Sequence, residues 1–265
     1  MPDADYQADA DEAKDRNFVT ALARGLDVLR CFRPNETDLT NMDISQRTNL
    51  PKPTVSRLTH TLCKLDYLVA DPRTGTYRLS AGVLQLGFGV LSGMEIGERA
   101  SEVMRALRDG PNSYITVALA EAHRMDAVYI AVHRSREEIA LTMNVGSRLP
   151  LFFSAIGRAI LVGLTEEERA VTLKRADKLD PDQHERRKRS VEQALAEYES
   201  QGYCTGYGDW RQDVNGIAVP VFSLNGSRVY GLNVGGPAFH VKKKQLESYY
   251  ARQLLEAAAS LSHPD

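Results

Sequence analysis

Apolar positions along the chain follow two rhythms, a helical one early and a mixture of strand and helix later. From Asn17 onward Phe18, Leu22, Leu26 and Leu29 recur at helical spacing, with Val19 and Val28 beside them and Pro34 ending the pattern. This predicts a first helix with one buried face. A short second helix from Asn41 to Thr48 would pack Met42 and Ile44 and stop at Asn49-Leu50-Pro51. A third follows at once, with Val55, Leu58, Leu62 and Leu65 turned inward, Lys52, Thr54, Ser56, Arg57, Thr61 and Lys64 on its other faces, and Pro53 tolerable in its first turn. Leu68–Ala70 and Thr76–Leu79 then flank the turn-rich stretch Asp71-Pro72-Arg73-Thr74-Gly75 and read as a β-hairpin. Helix, short helix, helix, hairpin is the order of a winged helix-turn-helix.

Between Ala81 and Arg108 apolar residues recur with few turn signals beyond Gly87, Gly89, Gly93 and Gly97, as in a connecting helix. Beyond Gly110-Pro111 come three short runs rich in β-branched residues, Tyr114–Ala120, Ala127–His133 and Ile139–Val145, which read as strands. Helices are predicted at Ser154–Leu164, after a capping box at Thr165-Glu166-Glu167-Glu168, and at Ser190–Gln201. Strands return at Ile217–Phe222 and Val229–Val234 around the hairpin signal Asn225-Gly226, and His240–Leu261 closes with a helix. Strands, helices, strands and a final helix without regular alternation make the second half an α+β domain on an antiparallel sheet.

The composition fits this picture. At 265 residues, 43% hydrophobic and 26% charged, the chain can build one or two folded domains. No run approaches the ~18 apolar residues of a membrane span, and the acidic start is unlike a secretory leader, so a soluble, cytoplasmic, nucleoid-associated protein is expected. The three cysteines, Cys31, Cys63 and Cys204, are far apart and read as packed thiols rather than a disulfide or zinc framework.

Charge is unevenly placed. Residues 1–15 hold six acids against Lys14, a net −5, and have few large apolar side chains, so residues 1–17 are expected to be a flexible acidic tail. Residues 16–80 hold ten Lys and Arg against six Asp and Glu, a net +4. DNA binding depends on the charge of the face that meets phosphate, not on the whole-chain balance of −2. A helix fits the major groove, where Thr54, Ser56 and Arg57 would reach base edges and phosphates. Lys52 and the hairpin-tip Arg73 would add contacts that fix register. A helical core of this kind that docks protein instead remains an alternative on pattern alone.

Several segments carry a family resemblance. Ala21-Leu-Ala-Arg-Gly-Leu-Asp-Val-Leu29, Leu50-Pro-Lys-Pro-Thr-Val-Ser-Arg-Leu58 and Gly75-Thr-Tyr-Arg-Leu79 resemble the N-terminal domain of isocitrate lyase regulator-type (IclR family) transcription factors. Val145–Leu151, Ser154–Leu161, Gly202-Tyr203, Ile217–Val221 and Leu232–Pro237 resemble the family's effector domain. The resemblance implies a winged helix-turn-helix over residues 18–80, a linker helix over 81–98 that pairs with its twin, and a GAF-like effector-binding domain over 99–265. The partners it implies are operator DNA, a small carboxylate effector and a second copy of the chain, as homodimer or homotetramer.

Signatures of catalysis are missing: there is no G-x-S-x-G, no G-x-x-x-x-G-K-[ST] and no H-E-x-x-H, and Gly206-Tyr-Gly208 alone is too little for a nucleotide loop. His133 with Glu137 and Glu138 offers too few ligands for a metal, and no cofactor is expected. An uncharacterised hydrolase is therefore a distant reading. A binding pocket has more support. Ala155 and Gly157 are small residues at a loop-to-helix junction, where backbone N–H groups and the helix dipole favour a carboxylate. The resemblance adds the acidic position Asp209 and the strand positions Ala218, Asn233 and Gly235. Ala218 and Gly235 stand where the family often has a polar residue, which favours a larger, partly aromatic acid walled by Tyr129, Met143, Phe153 and Trp210.

Overall fold

The computed structural model describes residues 16–33, 36–92, 95–137 and 143–262. The chain divides into two compact units, with the boundary at residues 93/94. The acidic tail expected over residues 1–17 lies outside the described residues but for its last two.

The first unit holds helices α1 (Thr20–Arg30), α2 (Asn41–Thr48) and α3 (Lys52–Lys64), with strand β1 (Leu39–Thr40) ahead of α2 and strands β2 (Leu68–Asp71) and β3 (Thr76–Leu79) after α3. Helix α4 (Ala81–Ser92) follows. The start of α2 is fixed by a reciprocal cap, in which the Asp43 N–H donates to the Thr40 hydroxyl and the Asp43 carboxylate accepts from the Thr40 N–H. It ends at Asn49, whose φ of 53° is the left-handed cap that turns the chain into α3. Val28, Ile44, Val55, Leu62 and Leu68 form the core, joined by Cys31 and Leu39. β1 pairs with β3, making the hairpin a three-stranded wing in the order β1-β3-β2. The sequence gives no sign of the two-residue β1.

The expected burial of α1 is corrected. Val28 is fully buried, but Leu22 and Leu26 are 63% and 42% exposed, and Val19 is exposed as well. Only the C-terminal end of α1, where the chain runs on to Cys31, meets α2 and α3, so the longer apolar stripe stays uncovered within this unit. Met42 and Leu65 are likewise exposed rather than inward. Leu65 sits past the last turn of α3, as its C-cap.

The second unit opens with α5 (Glu95–Arg108) and is built on a six-stranded antiparallel sheet. Its strands are β4 (Thr116–His123), β5 (Asp126–His133), β6 (Arg148–Pro150), β7 (Cys204–Tyr207), β8 (Val214–Phe222) and β9 (Val229–Pro237), in the order β6-β5-β4-β9-β8-β7. Between β6 and β7 run α6 (Ala155–Gly163), α7 (Glu166–Leu179) and α8 (His184–Gln201). The expected strand at 139–145 falls largely on residues 138–142, outside those described; β7 was not expected. The closing helical stretch begins at Lys243, passes through one π turn at Leu246–Tyr250 and continues as a regular helix (Ala251–Ser262).

Strand alternation sorts this sheet into two unlike faces. Val117, Leu119, Ile217, Val219, Val221, Leu232 and Val234 point to the side covered by α5 and the closing helix. Ala118, Ala120 and Ala218 point to the other side, against α6. Small side chains there let α6 lie close to the strands: a Cβ at Gly231 would stand 2.7 Å from the Ile156 carbonyl oxygen. That closeness places the N-terminus of α6 directly over the sheet.

Candidate functional site

In the first unit α3 turns Val55, Thr59 and Leu62 inward and presents Lys52, Ser56, Arg57, His60, Thr61 and Lys64 to solvent, with Thr54 half-buried. Buried Thr59 donates to the Asn41 amide oxygen at 3.1 Å, tying α3 to α2. Lys52, Arg57, Lys64 and Arg78 make no ion pair with the described residues, so their charge is available to phosphate. Arg73 sits at the tip of the wing with its side chain 91% exposed, beside Asp71 at 3.5 Å. The structure thus brings Lys52, Ser56 and Arg57 onto one open face, with Thr54 at its edge and Arg73 on the adjoining wing.

In the second unit a small, partly open cavity lies between the N-terminus of α6 and the sheet. Its lining residues include Tyr129, Met143, Leu149, Trp210 and Val214 as apolar walls, and Thr116, Ser154, Asn215 and Asn233 as polar groups. Among the described residues no charged side chain lines it. The floor is one cross-strand row, Gly206, Gly216, Gly235 and Thr116, paired in register across β7, β8, β9 and β4. A Cβ at Gly206 would meet the Ala155 nitrogen at 2.8 Å, and one at Gly235 would meet the Asn215 oxygen at 2.8 Å. Glycine there lets β7 approach the start of α6 and lets β8 and β9 lie close together.

Ser154 caps α6, its hydroxyl accepting from the Gly157 N–H at 3.1 Å and donating to the Pro150 carbonyl at 2.8 Å. The N–H groups of Ala155 and Ile156, in the first turn, have no intrahelical acceptor and no other partner among the described residues. Deeper in the cavity the Asn233 amide shares a hydrogen bond with the Tyr129 hydroxyl. Its oxygen is buried with no partner. Burial pushes the Tyr129 phenol well above its ordinary range, so it stays protonated and can donate.

Of the residues expected to bind a ligand, Ala155, Asn233 and Gly235 line this cavity, and Gly157, Asp209 and Ala218 do not. Gly157 is tightly packed: its N–H is occupied by the cap, and a Cβ on it would collide with the Leu151 carbonyl oxygen. Ala218 is fully buried two residues along β8 from Gly216 of the floor, beside Cys204 and Asn233. The Asp209 carboxylate accepts from the Arg158 guanidinium at 3.0 Å and from the Tyr207 N–H at 3.1 Å. Buried Arg158 also donates to the Ser190 hydroxyl and the Thr205 carbonyl, so Asp209 holds the loop that carries Trp210. Among the expected wall residues Phe153 is displaced as well, lying under the Arg186 guanidinium at 4.1 Å. Thr116, Asn215, Gly206 and Gly216 were missed, because only strand register brings them beneath α6.

Of the other candidate group, His133, Glu137 and Glu138, the last lies outside the described residues. His133 lies 3.4 Å from the Ser101 hydroxyl, and burial, with Arg108 and Arg105 nearby, lowers its pKa. Among the described residues no cluster of His, Cys, Asp and Glu could hold a metal. None of the described helices is long and apolar enough to cross a membrane.

The model of the bacterial transcriptional regulator IclR C-terminal domain matches residues 88–263, and that of the IclR helix-turn-helix domain matches residues 21–72. The chain belongs to the IclR family. It is 32% identical to the Pca regulon regulatory protein of Pseudomonas putida, over 94% of this chain and 85% of that protein. An IclR family transcriptional regulator of Brucella abortus superposes with a TM-score of 0.82 at 39% identity, covering 98% of this chain and 96% of the other. An IclR homologue of Microbacterium hydrocarbonoxydans, solved in complex with 4-hydroxybenzoate, shares the fold at 22% identity, with a TM-score of 0.66 over 91% of this chain and 97% of its own. As an IclR-family member the chain is a transcriptional regulator with a DNA-binding helix-turn-helix, and α1, α2 and α3 lie within the residues that the helix-turn-helix model matches, but for the first residue of α1.

Proposed function

We propose that DNA binding by this regulator is set by a small organic acid held in the cavity beneath α6, and that its targets are genes for the catabolism of such acids. The observation that carries the reading is the first turn of α6. Two N–H groups without a partner among the described residues, at the positive end of the helix dipole, adjoin a glycine-floored space with no charged side chain in its described lining, which suits a carboxylate. Tyr129, Met143, Leu149 and Trp210 would hold an apolar body, which favours an aromatic acid over the shortest aliphatic ones.

The same cavity sets a second requirement. A buried acceptor without a partner costs about 1–3 kcal/mol, and a ligand that donates to it recovers that amount. The Asn233 oxygen is such an acceptor. The effector class is therefore a carboxylic acid that carries a hydroxyl or other donor away from its carboxylate.

A thermal-shift comparison of 4-hydroxybenzoate, benzoate and 4-methoxybenzoate tests both parts. Acid binding should add about 2.7 kcal/mol of stability at a hundredfold excess over the dissociation constant. The hydroxylated acid should bind at least about tenfold more tightly than the other two, and Asn233→Leu should erase that preference. Equal binding of all three would remove the donor requirement but leave acid sensing in place. If neither these nor short aliphatic hydroxy acids shift melting or DNA affinity, the effector reading fails.

Operator reading by a family member of this kind also calls for two copies. Leu84, Leu86, Phe88, Val90 and Leu91 on α4 are all exposed, α4 contains no charged residue, and Val19, Leu22 and Leu26 leave an apolar stripe on α1. A second copy packed on these surfaces would hold two recognition helices at a separation of about 34 Å or a multiple of it. Leu86→Glu and Leu91→Glu should therefore shift the chain toward monomer in sedimentation and weaken palindrome binding together. Tight binding to a full palindrome by a monomeric variant would contradict this arrangement.

A further inference from the structure

We propose that the acidic segment at residues 1–15 docks on the basic outer face of α3 in its own chain and competes there with DNA, as a built-in electrostatic brake. This is independent of the effector reading and rests on charge and reach.

The face is defined by what surrounds it. No acid occurs between Asp43 and Asp66, a stretch that contains Arg47, Lys52, Arg57 and Lys64. Three of the acids that flank it are engaged elsewhere, Asp43 in the cap of α2, Glu36 with Arg47 at 2.6 Å, and Asp71 with the backbone and side chain of Arg73, while exposed Asp66 lies just past the end of α3 and forms no ion pair with Lys64. Lys52, Arg57 and Lys64 are left exposed on one helix without a carboxylate partner among the described residues. Residues 1–15 supply Asp3, Asp5, Asp9, Asp11, Glu12 and Asp15 against Lys14 alone, a net −5 joined to the unit just ahead of α1.

Reach does not limit the contact. Fifteen residues span at most about 50 Å, and a unit of this size has a radius of gyration of roughly 12 Å. Covalent attachment holds the segment at a millimolar effective concentration, so a weak, charge-driven contact is enough to occupy the face part of the time. Such a contact weakens with ionic strength. DNA must displace it, and the displaced acids then leave fewer counterions to be released on DNA binding, which flattens the salt dependence of affinity.

The test uses the full chain with Asp3, Asp5, Asp9, Asp11 and Asp15 changed to Asn and Glu12 to Gln, and a random-sequence 30-base-pair duplex as probe. At about 50 mM salt the neutralised chain should bind the duplex about three- to tenfold more tightly than the parent, with a steeper salt slope, and the two should converge near 0.3 M. Because acids that merely repel DNA would also weaken binding, a labelled peptide of residues 1–15 provides the second arm. At millimolar concentration it should bind the neutralised chain and displace the duplex, and Lys52→Ala/Arg57→Ala/Lys64→Ala should abolish peptide binding. Equal affinity of parent and neutralised chains overturns the proposal. So does a peptide that fails to bind, or that binds the triple variant equally well.

Discussion

Gly157→Ala should destabilise the second unit by about 3 kcal/mol or more, a drop of roughly 6–12 °C in its melting temperature, while the first unit melts as before. The added Cβ would stand 2.1 Å from the Leu151 carbonyl oxygen and 2.6 Å from its Cα. Neither backbone atom can yield without moving the entry to α6, and Ser154, which caps that helix, bonds to the same turn at Pro150. Fully buried Ile156 and Ile160 would move with it. Calorimetry of the full chain, which resolves the units if they melt separately, checks the size of the effect. A variant that melted like the parent but no longer bound the effector would instead return Gly157 to a role in holding ligand.

Arg57→Ala should weaken operator binding by about 1–3 kcal/mol and narrow the gap between operator and random DNA, as expected when a base-reading arginine is lost. Lys52→Ala should weaken both alike and lower the salt slope by about one unit, as a phosphate contact would. Their positions motivate the distinction: Lys52 opens α3 at the helix end, where phosphate is met, while Arg57 lies one and a half turns along the exposed face. Affinities measured for both duplexes across a salt series separate the two roles. Equal losses on specific and random DNA for both variants would remove the reading role from Arg57.

Much of the first unit was legible because its signals are local. Asn49-Leu50-Pro51 ends α2, Val55 and Leu62 mark the inner face of α3, and the turn residues around Gly75 close the wing. What failed there was the exposure of α1: periodicity shows that Leu22 and Leu26 share a face, but not whether anything in the same chain covers it. The cavity was legible only in part, for a physical reason. Ala155 was visible as a small residue at a helix entrance, but the floor depends on Gly206, Gly216, Gly235 and Thr116 meeting across four strands. Such register has no local signature. Gly157 was drawn toward the ligand as a small residue near a helix start and Asp209 through the family resemblance, although in sequence such residues look alike whether they bind, pack or brace. Only the Leu151 contact and the Arg158 hydrogen bond tell them apart.

The most direct test of an acid-controlled DNA reader measures, in one experiment, the affinity of the full chain for the duplex upstream of its own reading frame as 4-hydroxybenzoate and a panel of related hydroxylated and plain acids are added. At least one donor-bearing acid should change that affinity by about 5- to 150-fold, the usual range of coupling between two sites, and Asn233→Leu should lower the potency of that acid to the level of its plain analogue while leaving acid-free DNA binding intact. DNA affinity that stays the same with every acid, or a response unchanged in Asn233→Leu, would contradict this reading.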